Sequence, residues 1–252
     1  MSLLNIADQP AIGINTAKKV ERESLIAQLH YWSSRLALYV TNSLPNLPQE
    51  EIQGSRVLRI LSIIAIIWNT TTDDPVESAY DAHFEKYETV ISLASSFIQE
   101  STISSPTTTD TLSSASVSTS ITPALSRSNS KCGSSKMFTF DMGIIPMLYF
   151  TAIKCRSPSL RRKAIDMLKK VMPRREGLWD ARVLAGIAQR IMEIEEADGC
   201  SEDMWPAEAR RIHAIYITPN YCPVSRRQEV ILSWRPDGPT GQWLQFVEKI
   251  VY

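Results

Sequence analysis

The chain has 252 residues with 27 Lys and Arg against 27 Asp and Glu, so it carries no net field that would draw the whole molecule to nucleic acid or to a membrane surface. Its length suits one or two domains with a sizeable core. The first residues, M-S-L-L-N-I-A-D-Q-P, lack the basic start and apolar run of a secretory signal, and the most apolar stretch, Ile60 to Trp68, is about half of the roughly 20 residues that span a bilayer. The expectation is a protein with no membrane segment.

From Ala17 to Val40 the apolar residues Val20, Leu25, Leu29, Trp32, Leu36 and Tyr39 recur mostly at steps of three and four, which predicts a helix with one buried face. Pro45 and Pro48 stop it. A second helix is expected from about Gln49 to Trp68, and a third from about Pro75 to Ile98 with Tyr80, Phe84, Tyr87, Ile91 and Ala94 on one stripe. Such stripes pack most simply as antiparallel helix pairs.

Asp73, Asp74 and Glu77 spell D-D-x-x-E, a spacing that binds magnesium in helical terpene-forming enzymes. Pro75 follows directly, and proline suits the first position of a helix, which makes Asp74 the N-cap and Glu77 its capping-box partner. The capping reading accounts for both residues. A metal-dependent helical enzyme using Asp73, Asp74 and Glu77 is kept as the alternative function.

Between Ser101 and Ser135 more than half of the residues are Ser or Thr, and Pro106 and Pro123 interrupt any regular pattern. So little apolar surface cannot offset the entropy of ordering, which predicts a disordered linker between a first helical part, residues 1–100, and a second, residues 136–252.

After the linker, Gly143 to Cys155 reads as an apolar helix with Pro146 in its first turn. Ser157-Pro158-Ser159 opens another, with Leu160, Ala164, Met167, Leu168 and Val171 buried. Its other face is basic: Arg161, Arg162, Lys163, Lys169, Lys170, Arg174 and Arg175 are the candidate residues for nuclear import or for docking a partner. Against that stands an ion-paired or solvated face, with Glu193, Glu195, Glu196 and Asp198 of the next helix as neighbours; exposed pairs contribute only about 0–1 kcal/mol each. That next helix starts at Leu178 and turns Val183, Leu184, Ile187, Ile191 and Ile194 inward, with Trp179 as a packed aromatic. Glu195 and Glu196 at its C-terminal end oppose the helix dipole, a cost that points to pairing.

A short helix is expected from about Ala207 to Ile217. An alternating run, Gln228, Val230, Leu232 and Trp234, then leads through Pro236-Asp237-Gly238-Pro239 to a return segment, Trp243 to Val251, giving a small hairpin. The return segment also fits a helical face. The fold class is therefore mainly α, an antiparallel helical bundle or array of helical hairpins with a small C-terminal β-hairpin.

The block from Phe138 to Glu196 resembles the carboxy-terminal regulatory region of fungal transcription factors whose DNA-binding element is a six-cysteine, two-zinc cluster. The resemblance rests on D-x-G-I-I-P-x-L-Y-F (Asp141 to Phe150), K-C-R-S-P (Lys154 to Pro158), the helix from Arg161 to Leu168, P-R-R-E-G-L-W-D (Pro173 to Asp180) and I-E-E (Ile194 to Glu196). It implies a nuclear regulator that controls gene expression, with secondary-metabolite or nutrient-use genes as common targets. Its partners would be transcription proteins, another regulator or a second copy. The four cysteines, Cys132, Cys155, Cys200 and Cys222, are too far apart for the cluster. No cofactor is expected in this chain, and zinc only if a six-cysteine cluster lies upstream; direct DNA binding by this chain alone is not expected. Three arrangements stay open: a truncated gene model, a regulator acting through another factor, and a degenerate paralogue.

There is no G-x-S-x-G, P-loop, G-x-G-x-x-G or H-E-x-x-H, and His30, His83 and His213 are isolated, so no enzyme is expected. A third reading is a small-molecule sensor in which Trp32, Trp68 and Trp179 line a pocket between helices.

Overall fold

The computed structural model describes residues 12–43, 47–103, 138–139, 143–197, 204–222, 224 and 226–252. Among them are six α-helices and two small sheets. The Ser/Thr-rich linker lies outside the described residues except at its start, where Ser101 to Ile103 continue a helix instead of beginning a loop.

Helix α1 (Ile12–Ser43) packs on α2 (Gln49–Thr71). Pro48 sets the start of α2, its carbonyl accepting from the Glu51 and Ile52 amides, and Glu50 and Glu51 in the first turn suit the positive end of the helix dipole. Ile60, Ile64 and Ile67 of α2 enter the core. The buried face expected of α1 does not form: Leu29 and Leu36 are half-buried, while Val20, Leu25, Trp32 and Tyr39 are exposed. One helical neighbour covers only one narrow stripe of a helix surface.

A 3-10 turn (Glu77–His83) leads into α3 (Phe84–Ile103), where Tyr87, Val90, Ile91 and Ala94 are buried, so the predicted third helix forms with a tighter first section. Helix α4 (Ile145–Lys154) is the axis of the molecule, with nine of its ten residues buried and Pro146 in its first turn. Helix α5 (Pro158–Lys170) carries Leu160, Ala164, Met167 and Leu168 inward, as the spacing predicts, and Val171 is half-buried at its end.

The first sheet is minimal. Strand β1 (Phe138–Thr139) runs parallel to β2 (Arg175–Glu176), which pairs antiparallel with β3 (Trp179–Asp180) through a turn at Gly177, whose φ of 56° suits a residue without a Cβ. Helix α6 (Ala181–Glu195) begins after Asp180, not at Leu178, because the Asp180 carboxylate accepts from the Arg182 and Val183 amides at 2.9 and 3.3 Å.

The C-terminal sheet has three antiparallel strands, β4 (Ile212–Cys222), β5 (Arg227–Trp234) and β6 (Leu244–Val251), with Ile215 opposite Leu232 and Leu232 opposite Phe246. The helix expected from Ala207 to Ile217 shrinks to one 3-10 turn, Glu208–Arg210, and the rest is strand. The β-branched and aromatic run Ile212, Ile215, Tyr216, Ile217 and Thr218 fits a pleated surface better than a helix. The return segment resolves as strand β6. Ile212, Val230, Leu232 and Ile250 join the helices in one apolar core that extends from Ile60 to Ile250, so residues before and after the linker fold together.

Candidate functional site

Two features meet around the C-terminal end of α4: a buried ion network and an aromatic-walled cleft. The network starts from Lys154-Cys155-Arg156. Lys154 Nζ reaches Glu77 Oε1 and Oε2 at 2.7 and 2.8 Å and the His213 carbonyl at 2.9 Å. Arg156, with no exposed surface, bonds Glu195 through Nη2 at 3.0 Å and the Ile212 carbonyl at 2.9 Å, and lies 3.0 Å from Glu77. Glu195 also takes Arg161 and the Ile212 amide, the latter at 2.7 Å. Thus the pairing suggested by the acidic end of α6 is present, and it ties the 3-10 turn, α4, α5, α6 and β4 together.

Burial alone would raise the Glu195 carboxyl, but Arg156, Arg161 and the Ile212 amide outweigh it and hold the group at about 2. Burial opposes the charge on Arg156, and Glu195 and Glu77 more than offset it, so the guanidinium is held more firmly than usual. For Lys154 burial wins and pulls the ammonium down, with Glu77 opposing. Such an ensemble costs much desolvation and is stable only because its hydrogen-bonding capacity is filled.

The P-R-R-E-G segment has a local task. Buried Glu176 accepts from the Gly143 and Ile145 amides at 3.0 and 2.9 Å, neutralising the N-terminus of α4, and pairs with Arg174 at 2.9 Å. A Cβ on Gly143 would come within 2.1 Å of Glu176 Oε1, which explains the glycine before I-I-P. A Glu thirty-three residues downstream is the helix cap, which no local spacing announces.

The seven candidate basic residues separate. Arg161 is fully buried in the network and does not belong to an outward face, because its guanidinium bonds the Ala152 carbonyl at 3.0 Å and Glu195. Arg162 is exposed and pairs with Glu196, and half-buried Arg174 is bound to Glu176 and lies over Phe97. Lys163, Lys169, Lys170 and Arg175 are exposed, with Lys169 bonding Gln189.

The acidic trio separates too. Asp73 pairs with Arg22, Asp74 Oδ1 accepts the Val76 amide at 3.2 Å, and Glu77 turns inward to Lys154 and Arg156. The capping box does not form: Glu77 is buried among cations, and the Asp74 amide donates to the Thr71 carbonyl. Among the described residues no group of three His, Cys, Asp or Glu could hold a metal, and no helix is long and apolar enough to cross a membrane. Cys155 is buried, and burial pushes its thiol up to about 11, which makes it a poor nucleophile. Cys132, Cys200 and Asp198 lie outside the described residues.

The cleft, of about 600 Å³, lies between the end of α2, the middle of α4 and the strands that follow. Trp68 stands 5.7 Å from Phe150, and Tyr80 meets Phe150 edge-on at 6.1 Å. Elsewhere in the lining His213 meets Trp243 edge-on at 5.3 Å, and the Arg235 guanidinium lies 3.9 Å above the Trp243 ring. Glu77 and Lys154 form part of the lining. Of the three tryptophans proposed for a pocket, Trp68 and Trp179 line it and Trp32 does not. Trp179 is 37% exposed, not a packed anchor, since it sits on two-residue β3 and divides this cleft from a second one of about 660 Å³ beside α6. No local spacing brings Phe150, Trp243, Arg235 and His213 together, because they come from elements far apart in sequence.

A stretch of 59 residues is 39% identical to a protein of Emericella nidulans named as the aspercryptin biosynthesis cluster-specific transcription regulator atnN. The match covers 23% of this chain and spans a tenth of the length of that relative. No protein-family model and no solved structure matches the chain.

Proposed function

We propose that this chain is part of a fungal transcription regulator, its helices and sheet forming a regulatory module that acts in the nucleus. The observation that carries this reading is the 59-residue match to a cluster-specific regulator, joined to the resemblance of the block from Phe138 to Glu196, which contains Arg156, Arg161 and Glu195 of the ion network and the helix cap Glu176. Control of a secondary-metabolite gene cluster is the finer form of the proposal. The module works through protein contacts, with transcription proteins, a second regulator that supplies the DNA contact, or another copy of the chain as partners.

Lys163, Lys169, Lys170 and Arg175, with Arg162 beside them, form the surface for import or for an acidic partner, because their charges reach solvent. Arg161 is left out of that surface. The test is to tether the chain to a heterologous DNA-binding domain and measure a reporter gene in a fungal host. Expression that changes with the tethered chain, and a changed response when the four exposed cations become glutamine, supports the reading. A reporter indifferent to the tethered chain overturns it.

A further inference from the structure

We propose that the cleft between α2, α4 and the C-terminal sheet binds a planar aromatic molecule bearing one anionic group, a carboxylate for example, with its ring among the tryptophans and its charge on Arg235. The cleft's volume of about 600 Å³ falls within the range of roughly 300–1,000 Å³ usual for small-molecule sites. Three tryptophans from separate elements converge on it while keeping much surface in solvent: Trp68 is 52%, Trp243 48% and Trp179 37% exposed. Large aromatic surfaces grouped at one opening, in a chain that buries most of α4, mark a place where something apolar docks.

Charge selects the sign of the ligand. Lys154 is satisfied by Glu77, and Glu77 is held by Lys154 and Arg156, so neither is free for a guest, while Asp74, the other carboxylate of the lining, accepts the Val76 amide. Arg235 differs. Among the described residues no carboxylate pairs with it, its Nε has no hydrogen-bond partner, and its contacts are the Pro239 carbonyl and the face of Trp243. Stacking on Trp243 holds the planar guanidinium in place and leaves its donors suited to a carboxylate. At Trp243 a cationic guest would meet the face that Arg235 already occupies. Buried Tyr149 also lines the cleft, and its hydroxyl has no partner among the described residues.

The experiment is calorimetric titration of the full chain with three molecules that share one ring and differ in charge: 2-naphthoate, 2-naphthamide and 2-naphthylmethylamine. The expected result is that naphthoate binds at least tenfold more tightly than the amide and that the amine binds most weakly. Arg235→Gln should remove the preference for the acid while binding of the amide persists, and Ala214→Trp, which fills the cleft, should abolish both. Comparison of the three compounds on the unaltered chain needs no variant to fold. Equal binding of all three, preference for the amine, no binding of naphthoate, or naphthoate binding that survives Ala214→Trp in a folded variant would overturn the proposal.

Discussion

Helices α1 and α4 both carry apolar residues at helical spacing, and they end in opposite surroundings. In α4 nine of ten residues are buried, because α5, α6, α2 and α3 all lie against it. In α1, three times as long, Leu25, Trp32 and Tyr39 stay 44%, 43% and 53% exposed, because α2 is its main neighbour. Periodicity therefore states which face of a helix is apolar, while the number of neighbouring elements decides whether that face is covered. The charges follow the same logic: those near α4 are drawn inside and paired, and those on the outer side of α5 stay in water.

The most severe way to break this contrast is Arg156→Ala. It leaves Glu195 and Glu77 buried with part of their charge uncompensated, and chemical denaturation should show a loss of about 3–5 kcal/mol. A loss below about 1 kcal/mol would mean that water already reaches the network. A milder test uses acid. The Glu195 carboxyl titrates at about 2 when folded, below its ordinary 4.5, so its contribution is complete above about pH 4.5 and disappears as pH falls towards 2. That contribution is on the order of 3 kcal/mol. Glu195→Gln should flatten the dependence of stability on pH in this window; an unchanged slope would assign acid sensitivity to another group. The smallest effect belongs to α1, where Leu25→Ser or Trp32→Ser should alter stability by no more than about 0.5 kcal/mol. A loss of about 2 kcal/mol there would show that α1's outer side is covered in solution.

Much of the fold was legible in local chemistry. Pro146 and Pro158 in the first turns of α4 and α5, the alternation from Gln228 to Trp234, and the three-four spacing of α3, α5 and α6 all appear where the residues place them. The misreadings share one cause. Ile212 to Cys222 becomes a strand because β5 offers it an edge, and Glu77 abandons its local capping role because Lys154 and Arg156 reach it across the fold. Trp179, read as a core anchor, stands at a cavity wall because its hairpin has only two residues per strand.

The sequence by itself determined where most of the helices lie, which of their faces are apolar, and that the acids closing α6 need cationic partners. These follow from backbone caps, side-chain spacing and dipoles, all of which act within a few residues. Only the tertiary structure decided that Arg161 is interior while Lys163 is not, that Glu176 caps a helix begun 31 residues before it, and that three tryptophans and Arg235 surround one cleft. Burial and ion pairing depend on distances between segments, such as the 77 residues that separate Glu77 from Lys154, and those distances exist only once the helices and the sheet have packed.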